Sequence, residues 1–375
     1  MFGKSVSLIK LFGFEVKLDL SWLILALLIT WTLAQGVFPF YYKDFSTSTY
    51  WLMGVGGALG LLVSIVFHEL WHSLIARRFG LPMKGITLFV FGGVAEMSEE
   101  PSSPKSEFFM AIAGPISSIV LGGFLFGVWF LLEDTGFSPP VLGVINYLAI
   151  INLILAGFNL LPAFPLDGGR ILRSILWALK DNLKWATQIA SKIGAGFGIA
   201  LMLFGVFSFV LGNIIGGVWM FVIGLFLRGA SQTSYQQLLI RKSLEGEPVK
   251  KFMKSDPVTV SPSLSLEDLV EDYIYKHHYK LYPVTDGNKL EGCITINQIK
   301  EIPKEERSQH TVGDIAQGCS EENTISPEED SVKALSIMRK HNTSRLMVVD
   351  NGKLVGVIAL KDIMGMLSMK MDLEG

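Results

Sequence analysis

This sequence is short of charge. Asp, Glu, Lys and Arg make up only 18% of its 375 residues while 50% are apolar, a balance that suits a lipid bilayer as solvent. The charges it has nearly cancel, at −2 net, and no basic patch stands out, which excludes nucleic acid as a partner. Cysteine is almost absent. Cys293 and Cys319 sit at no metal-ligand spacing and are too few for a disulfide scaffold, so they read as free thiols in a reducing compartment. Also missing is a short apolar run ending in a small-residue cleavage site. The N-terminal MFGKSVSLIKLFGFEVKLDLS therefore reads as retained, with the first membrane helix as the insertion signal.

What is present is unevenly spread. Residues 1 to 240 hold almost all the long hydrophobic runs, and residues 245 to 375 have an ordinary soluble composition. A helix needs roughly 20 apolar residues to cross a hydrocarbon core about 30 Å thick. Six segments come up to that measure, some only just, near residues 19 to 38, 52 to 76, 107 to 132, 141 to 161, 187 to 211 and 214 to 229, the last short and glycine-rich. The expected plan is a membrane domain over residues 1–230, a linker over 231–250 and a tail over 251–375. Lys and Arg near helix ends resist translocation and so report orientation. Lys4, Lys10 and Lys17 precede the first segment; Arg77 and Arg78 follow the second; Arg170, Arg173, Lys180 and Lys184 follow the fourth; Arg228, Arg241 and Lys242 follow the sixth. The opposite loops carry Lys43, Glu133 and Asp134. Both termini are expected in the cytoplasm of a multi-pass plasma-membrane protein in contact with lipid, and the lack of organelle signals points to a prokaryote.

Between the second and third segments lies GITLFVFGGVAEM, a β-like run broken by Gly-Gly and too short to span as a helix. Two readings fit it. It is either a hairpin dipping beside a wet cavity, where irregular backbone is tolerated at membrane depth, or a hairpin on the cytoplasmic surface.

The second segment contains FHELWHS. His68 and His72 are four apart, so on a helix they share a face about 6 Å apart along the axis, which suits two imidazoles on one tetrahedral zinc. Glu69 completes an HExxH pattern, in which the glutamate takes a proton from the attacking water and passes it to the leaving amine. Three ionisable groups in one turn of apolar helix are costly unless they bind something. A third ligand is then needed. Asp167, in FNLLPAFPLDGGRILRSI, is the best candidate, and capping the helix that starts near Gly168 is the alternative role for it. Asn159 in the same stretch either donates a hydrogen bond to a developing oxyanion or packs between helices.

HELWH together with NLLPAFPLDGG resembles the site-2 proteases, zinc metalloproteases that cut membrane-embedded helices, over roughly residues 15 to 230. The resemblance implies His68, His72 and Asp167 as ligands of one zinc ion per chain, Glu69 as general base and Asn159 at the family's asparagine position. AGPISS at residues 113 to 118 is similar to the family's Gly-Pro segment, with Ser118 where asparagine is usual. Phe91, Gly92 and Gly93 would form a strand that clamps an unwound substrate. The implied partner is a membrane protein whose transmembrane helix is weakened by Gly, Pro or Asn, because a stable helix hides its carbonyls.

The tail repeats itself at a period near 64 residues: VTVSPSLSLEDLVEDYIYKHHYKLYPV is answered by NTISPEEDSVKALSIMRKHNTSRLMVV, and TDGNKLEGCITINQIKEI by DNGKLVGVIALKDIMGM. Each unit reads as strand, helix, two strands joined by a tight turn, and closing helix. The pair resembles tandem CBS domains over about 251–305 and 312–370, giving an expected fold class of polytopic α-helical membrane bundle followed by a soluble α+β module. That family often binds ATP or AMP through a Gly-x-Ile-Thr-x-x-Asp pattern. GCITINQ keeps Thr295 but has Gln298 in the acidic place, and GVIALKD keeps Asp362 but has Ala359 in the threonine place. The competing roles for the pair are nucleotide sensing, homodimerisation and docking. Two rival functions also fit a membrane bundle with this tail: a CBS-regulated transporter or channel whose His and Glu line an ion path, and a catalytically inactive relative that only binds membrane helices.

Overall fold

The computed structural model describes residues 5–81, 83–89, 92–97, 101–287, 289–341 and 343–374. The chain divides into two compact units, Met1–Gln236 and Gln237–Gly375.

The first unit opens with strands β1 (Ser5–Leu11) and β2 (Phe14–Asp19). Their antiparallel hairpin turns on Phe12 and Gly13, both at positive φ (49° and 88°), as a two-residue turn demands. Helix α1 (Ser21–Thr32) runs through a wider π turn at Leu33–Val37 into α2 (Phe38–Tyr41), one apolar span of 21 residues. Helix α3 (Thr47–Arg78) starts on the Ser46 hydroxyl, which accepts from Thr49 N–H, and ends on Arg77 and Arg78 beside its orphan carbonyls. Strands β3 (Met83–Phe89) and β4 (Gly92–Met97) pair antiparallel, and β3 lies parallel to β2, giving a sheet of order β1-β2-β3-β4. Ile86 and Leu88 of β3 join Phe14, Val16, Trp22 and Leu70 in one buried cluster. The two strands of the GITLFVFGGVAEM stretch thus pack on the helices, β3 against α1 and α3 and β4 against α3.

Helix α4 (Pro104–Leu132) begins in a Ser103/Ser106 capping box, α5 (Pro139–Asn159) follows, and α6 (Asp167–Lys180) is short and strongly amphipathic. Helices α7 (Leu183–Val210) and α8 (Ile214–Leu244) complete the bundle. Six of these helices are long and apolar enough to cross a membrane, within a few residues of the segments expected at the start, with one exception. The last is 31 residues long and covers most of the 231–250 stretch that composition suggests is a linker. The physical reason is that Gln, Leu, Arg and Lys there are good helix formers, and Leu238 and Leu244 find burial. Small residues let helix backbones close on one another where lipid supplies no hydrophobic drive. Between α7 and α8 a Cβ on Gly198 would come within 2.6 Å of the Gly224 carbonyl, and one on Gly205 within 2.6 Å of the Gly217 carbonyl.

The second unit carries β5 (Lys254–Ser255), α9 (Leu266–Asp268) with a π turn leading to α10 (Tyr275–His277), β6 (Leu281–Asp286), β7 (Lys289–Thr295) and α11 (Ile296–Lys300). Then come α12 (Val312–Ile315), β8 (Gln317–Gly318), β9 (Thr324–Ile325), α13 (Ser331–Lys340), β10 (Arg345–Asp350), β11 (Lys353–Ala359) and α14 (Leu360–Glu374). Two sheets form, β6-β7-β8 and β5-β11-β10-β9. The repeat is structural to the residue: Leu281↔Thr295 recurs as Arg345↔Ala359, and the bulge at Val284/Thr285 recurs at Val348/Val349, each 64 positions on. Cys293 and Cys319 are both free.

Candidate metal centre

Four residues apart on α3, His68 and His72 share a helix face, their rings 4.8 Å apart and nearly perpendicular. Their Nε2 atoms are 3.1 Å apart. Asp167, at the start of α6, puts Oδ2 3.1 Å from His68 Nε2 and 3.2 Å from His72 Nε2. All three side chains lie inside the bundle, and they form a cluster able to hold a metal ion.

The chain path between α5 and α6 swings the carboxylate inward. Residues 160 to 166 fold back so tightly that a Cβ at Gly168 would collide with the Leu160 and Leu161 carbonyls, and one at Gly169 with the Phe164 backbone. Only glycine fits at either place, which accounts for the Asp-Gly-Gly sequence. Ser231 of α8 secures the loop by donating to the Phe164 carbonyl. Leu166 occupies the cap position of α6 and Asp167 is its first helical residue, so the carboxylate is turned to the imidazoles instead of capping.

Both imidazoles are oriented from behind. His72 Nδ1 is 2.6 Å from the Met110 carbonyl oxygen, which only accepts, so this nitrogen carries a proton, and in the neutral ring Nε2 is then the one with the lone pair. His68 Nδ1 pairs with the Ser118 hydroxyl at 2.9 Å. With the rings neutral, two nitrogen lone pairs and a carboxylate oxygen face one another at 3.1–3.2 Å, an arrangement that repels unless a cation sits among them. Zinc held tetrahedrally at roughly 2.0–2.1 Å would set its ligands about 3.3 Å apart, so the observed donor set fits zinc and leaves a fourth position. Room for the site comes from Gly114, which the sequence marks only as part of the AGPISS segment. A Cβ on Gly114 would overlap His72 Nε2 and lie 2.5 Å from His68 Nε2, so α4 can pass here only with glycine. Met110, Gly114 and Ser118, at intervals of four, form one stripe of α4 against the two rings. Ser118, in the place usual for asparagine, therefore meets a histidine ring.

Glu69, half-buried beside the pair, lies against β4: a Cβ on Gly93 would come 2.5 Å from its Cγ and 3.1 Å from its Oε1. Gly92 pairs with Phe89 at the start of β4, and Phe91 lies outside the described residues. Asn159 donates to the Leu155 carbonyl of its own helix at 3.0 Å. A second amide lies deeper in the same helix: Asn152, fully buried, donates to Ser64 Oγ at 2.9 Å, one turn before His68. In the tail, the Thr295 hydroxyl and N–H both reach Gln298 Oε1, at 2.7 and 2.8 Å, while Asp362 lies 3.6 Å from Lys254 Nζ.

Two imidazoles from one turn of α3 and a carboxylate from the start of α6 thus form a cluster able to hold a metal ion, with a glutamate adjoining it, inside a bundle of long apolar helices. Comparison with known proteins gives the family. The model for Peptidase family M50 matches residues 56–139 and 135–205, and the model for the CBS domain matches residues 249–305 and 312–368. Zinc metalloprotease MJ0392 of Methanocaldococcus jannaschii is 33% identical over 99% of both chains. A homologue in Mycobacterium tuberculosis named as a zinc metalloprotease, Rip3, is 32% identical over 96% of this chain and 92% of its own. Among solved structures, the Site-2 Protease from Methanocaldococcus jannaschii is 31% identical, covering 61% of this chain and 94% of that one with a TM-score of 0.43. The chain belongs to peptidase family M50: it is a zinc metalloprotease with tandem CBS domains. The transporter or channel reading falls with that membership.

Proposed function

We propose that this protein hydrolyses a peptide bond within or beside a transmembrane helix of a membrane-protein substrate, in regulated intramembrane proteolysis, with His68, His72 and Asp167 holding one zinc ion. The observation that carries the reading is the meeting of three lone-pair atoms from α3 and α6, no more than 3.2 Å apart, inside a bundle with an apolar exterior. Bound zinc would supply Lewis acidity toward the scissile carbonyl and toward water. The protein's own residues do the remainder. Glu69 accepts the proton of the attacking water and returns it to the leaving nitrogen. Ser118 and the Met110 carbonyl hold the imidazoles in orientation. Asn159 donates to the carbonyl oxygen as it gains charge, after releasing Leu155.

Among the described residues β4 ends its sheet, so an added strand could pair along its free side, and the closeness of Gly93 to Glu69 would set that strand beside the base. Gly92 and Gly93, together with Phe91 that precedes them in sequence, would clamp an unwound substrate segment next to the base. Both termini face the cytoplasm of a prokaryotic plasma membrane, following the Lys and Arg bias. The tail regulates cleavage as a homodimer-forming, adenine-nucleotide-responsive module, with Thr295 and Asp362 as ribose contacts once Gln298 and Lys254 give way.

The deciding experiment uses purified protein with a model membrane substrate. Glu69→Gln is expected to keep about one zinc per chain yet lose cleavage. Undiminished cleavage by this variant would refute the proposed base, and equal cleavage of poly-Leu and Gly/Pro-containing helices would refute the proposed substrate class. For the tail, absence of heat on titrating the full chain with millimolar ATP or AMP would end the nucleotide role.

A further inference from the structure

Glu107 is 0% exposed on the first turn of α4 and takes no part in the proposed hydrolysis. Arg173 of α6, 4% exposed, donates to Glu107 Oε1 through Nε at 2.7 Å and through Nη2 as well. Arg170, on the preceding turn of α6, sets Nε 3.9 Å from the same oxygen. Glu107 Oε2 has no hydrogen-bond partner among the described residues. A buried ion pair is poor evidence of stability, because desolvation offsets the attraction and an apolar pair of similar volume often serves as well. Its placement says more. Glu107, Met110, Gly114 and Ser118 follow at intervals of three, four and four, which is one face of α4. Along α6, Arg173 lies beyond Asp167 on the helix that presents the carboxylate, and its guanidinium covers the Phe164 ring at 5.0 Å. Phe164 belongs to the loop that packs against Gly169 and sets the entry of α6.

We propose that the Glu107–Arg173 ion pair is a positioning device for the metal: it locks α4 to α6, so that the helix orienting the imidazoles and the helix carrying Asp167 meet at fixed separation. The inference rests on the proposed zinc ligands and is independent of which substrate is cut. Its test is the zinc affinity of the full-length, detergent-solubilised protein, measured by competition with a chromogenic chelator. Two variants suit it. Glu107→Leu combined with Arg173→Leu removes both charges while filling the space, and Arg173→Lys keeps the charge but loses the planar fork. The double variant is expected to melt like the metal-free wild type and to bind zinc about tenfold more weakly or worse, with the lysine variant between it and wild type. Saturating zinc should restore its kcat at unchanged KM, which a merely misfolded variant would not show. Wild-type zinc affinity in both variants would overturn the inference alone, whereas no zinc in the wild-type protein would overturn the metal centre and this inference with it.

Discussion

In the membrane unit the residues turned outward are of the kind that other proteins hide: Leu27, Phe124 and Val210 are 73%, 65% and 75% exposed. In the tail unit residues of that kind, such as Leu346 and Val348, are wholly enclosed in a core with Ile358 and Ile363. The membrane unit reverses the polar side as well. Its interior holds His68, His72, Ser118, Asn152 and the Glu107–Arg173 pair, while the tail's ion pairs, such as Lys250–Glu328 and Lys276–Asp272, lie on its surface. Where the surrounding solvent is lipid, a buried polar atom is expensive and marks function; where it is water, buried apolar area marks the fold.

Substitutions can set that contrast at risk. The largest effect is expected from Gly114→Ala, whose methyl would occupy the place of the two Nε2 atoms. Zinc affinity should fall by more than about 100-fold in metal analysis, while Gly127→Ala, with nothing within 4 Å of its Cβ, leaves it unchanged. Next comes Leu346→Ala in the tail core, expected to cost roughly 2–5 kcal/mol in the tail's denaturant-unfolding transition. Zinc content should not change, and a parallel loss of zinc would break the division of labour between the units. Ser118→Ala should be milder, weakening zinc about tenfold in chelator competition, because His68 keeps its place but loses the partner of Nδ1. The smallest effect is chemical. Burial, helped by nearby Cys319, pushes the Cys293 thiol up to about 11, so near neutral pH it stays protonated and unreactive. Maleimide on the native protein should label exposed Cys319 alone, and labelling of Cys293 would mean the tail core opens readily.

Much of this was legible in the amino-acid order. Apolar length located the membrane helices because the bilayer fixes a minimum span, and the repeat of 64 located two equivalent hairpins, whose matching bulges the structure adds. HELWH was readable because helix periodicity alone puts His68 and His72 together. Other features had no local signal. In SVSLIKL every residue but the last is exposed, so no inward and outward alternation announces β1. Met110 acts through its carbonyl, which every residue type has. Gly114 stands in the AGPISS segment, but nothing in that segment says that the glycine makes room for two imidazoles. Glu107 and Arg173 are 66 residues apart, beyond any periodicity. The reach of α8 past residue 229 was hidden by a composition change that the backbone ignores.

The stripe on α4 also limits how this gene product can drift. One residue inserted anywhere between 110 and 118 would rotate the rest of the helix by about 100°, turning whichever contacts lie beyond it toward lipid. Length changes are therefore tolerated in the connection at residues 133 to 138 and forbidden within the stripe, so homologous chains should align there without gaps even where their side chains differ.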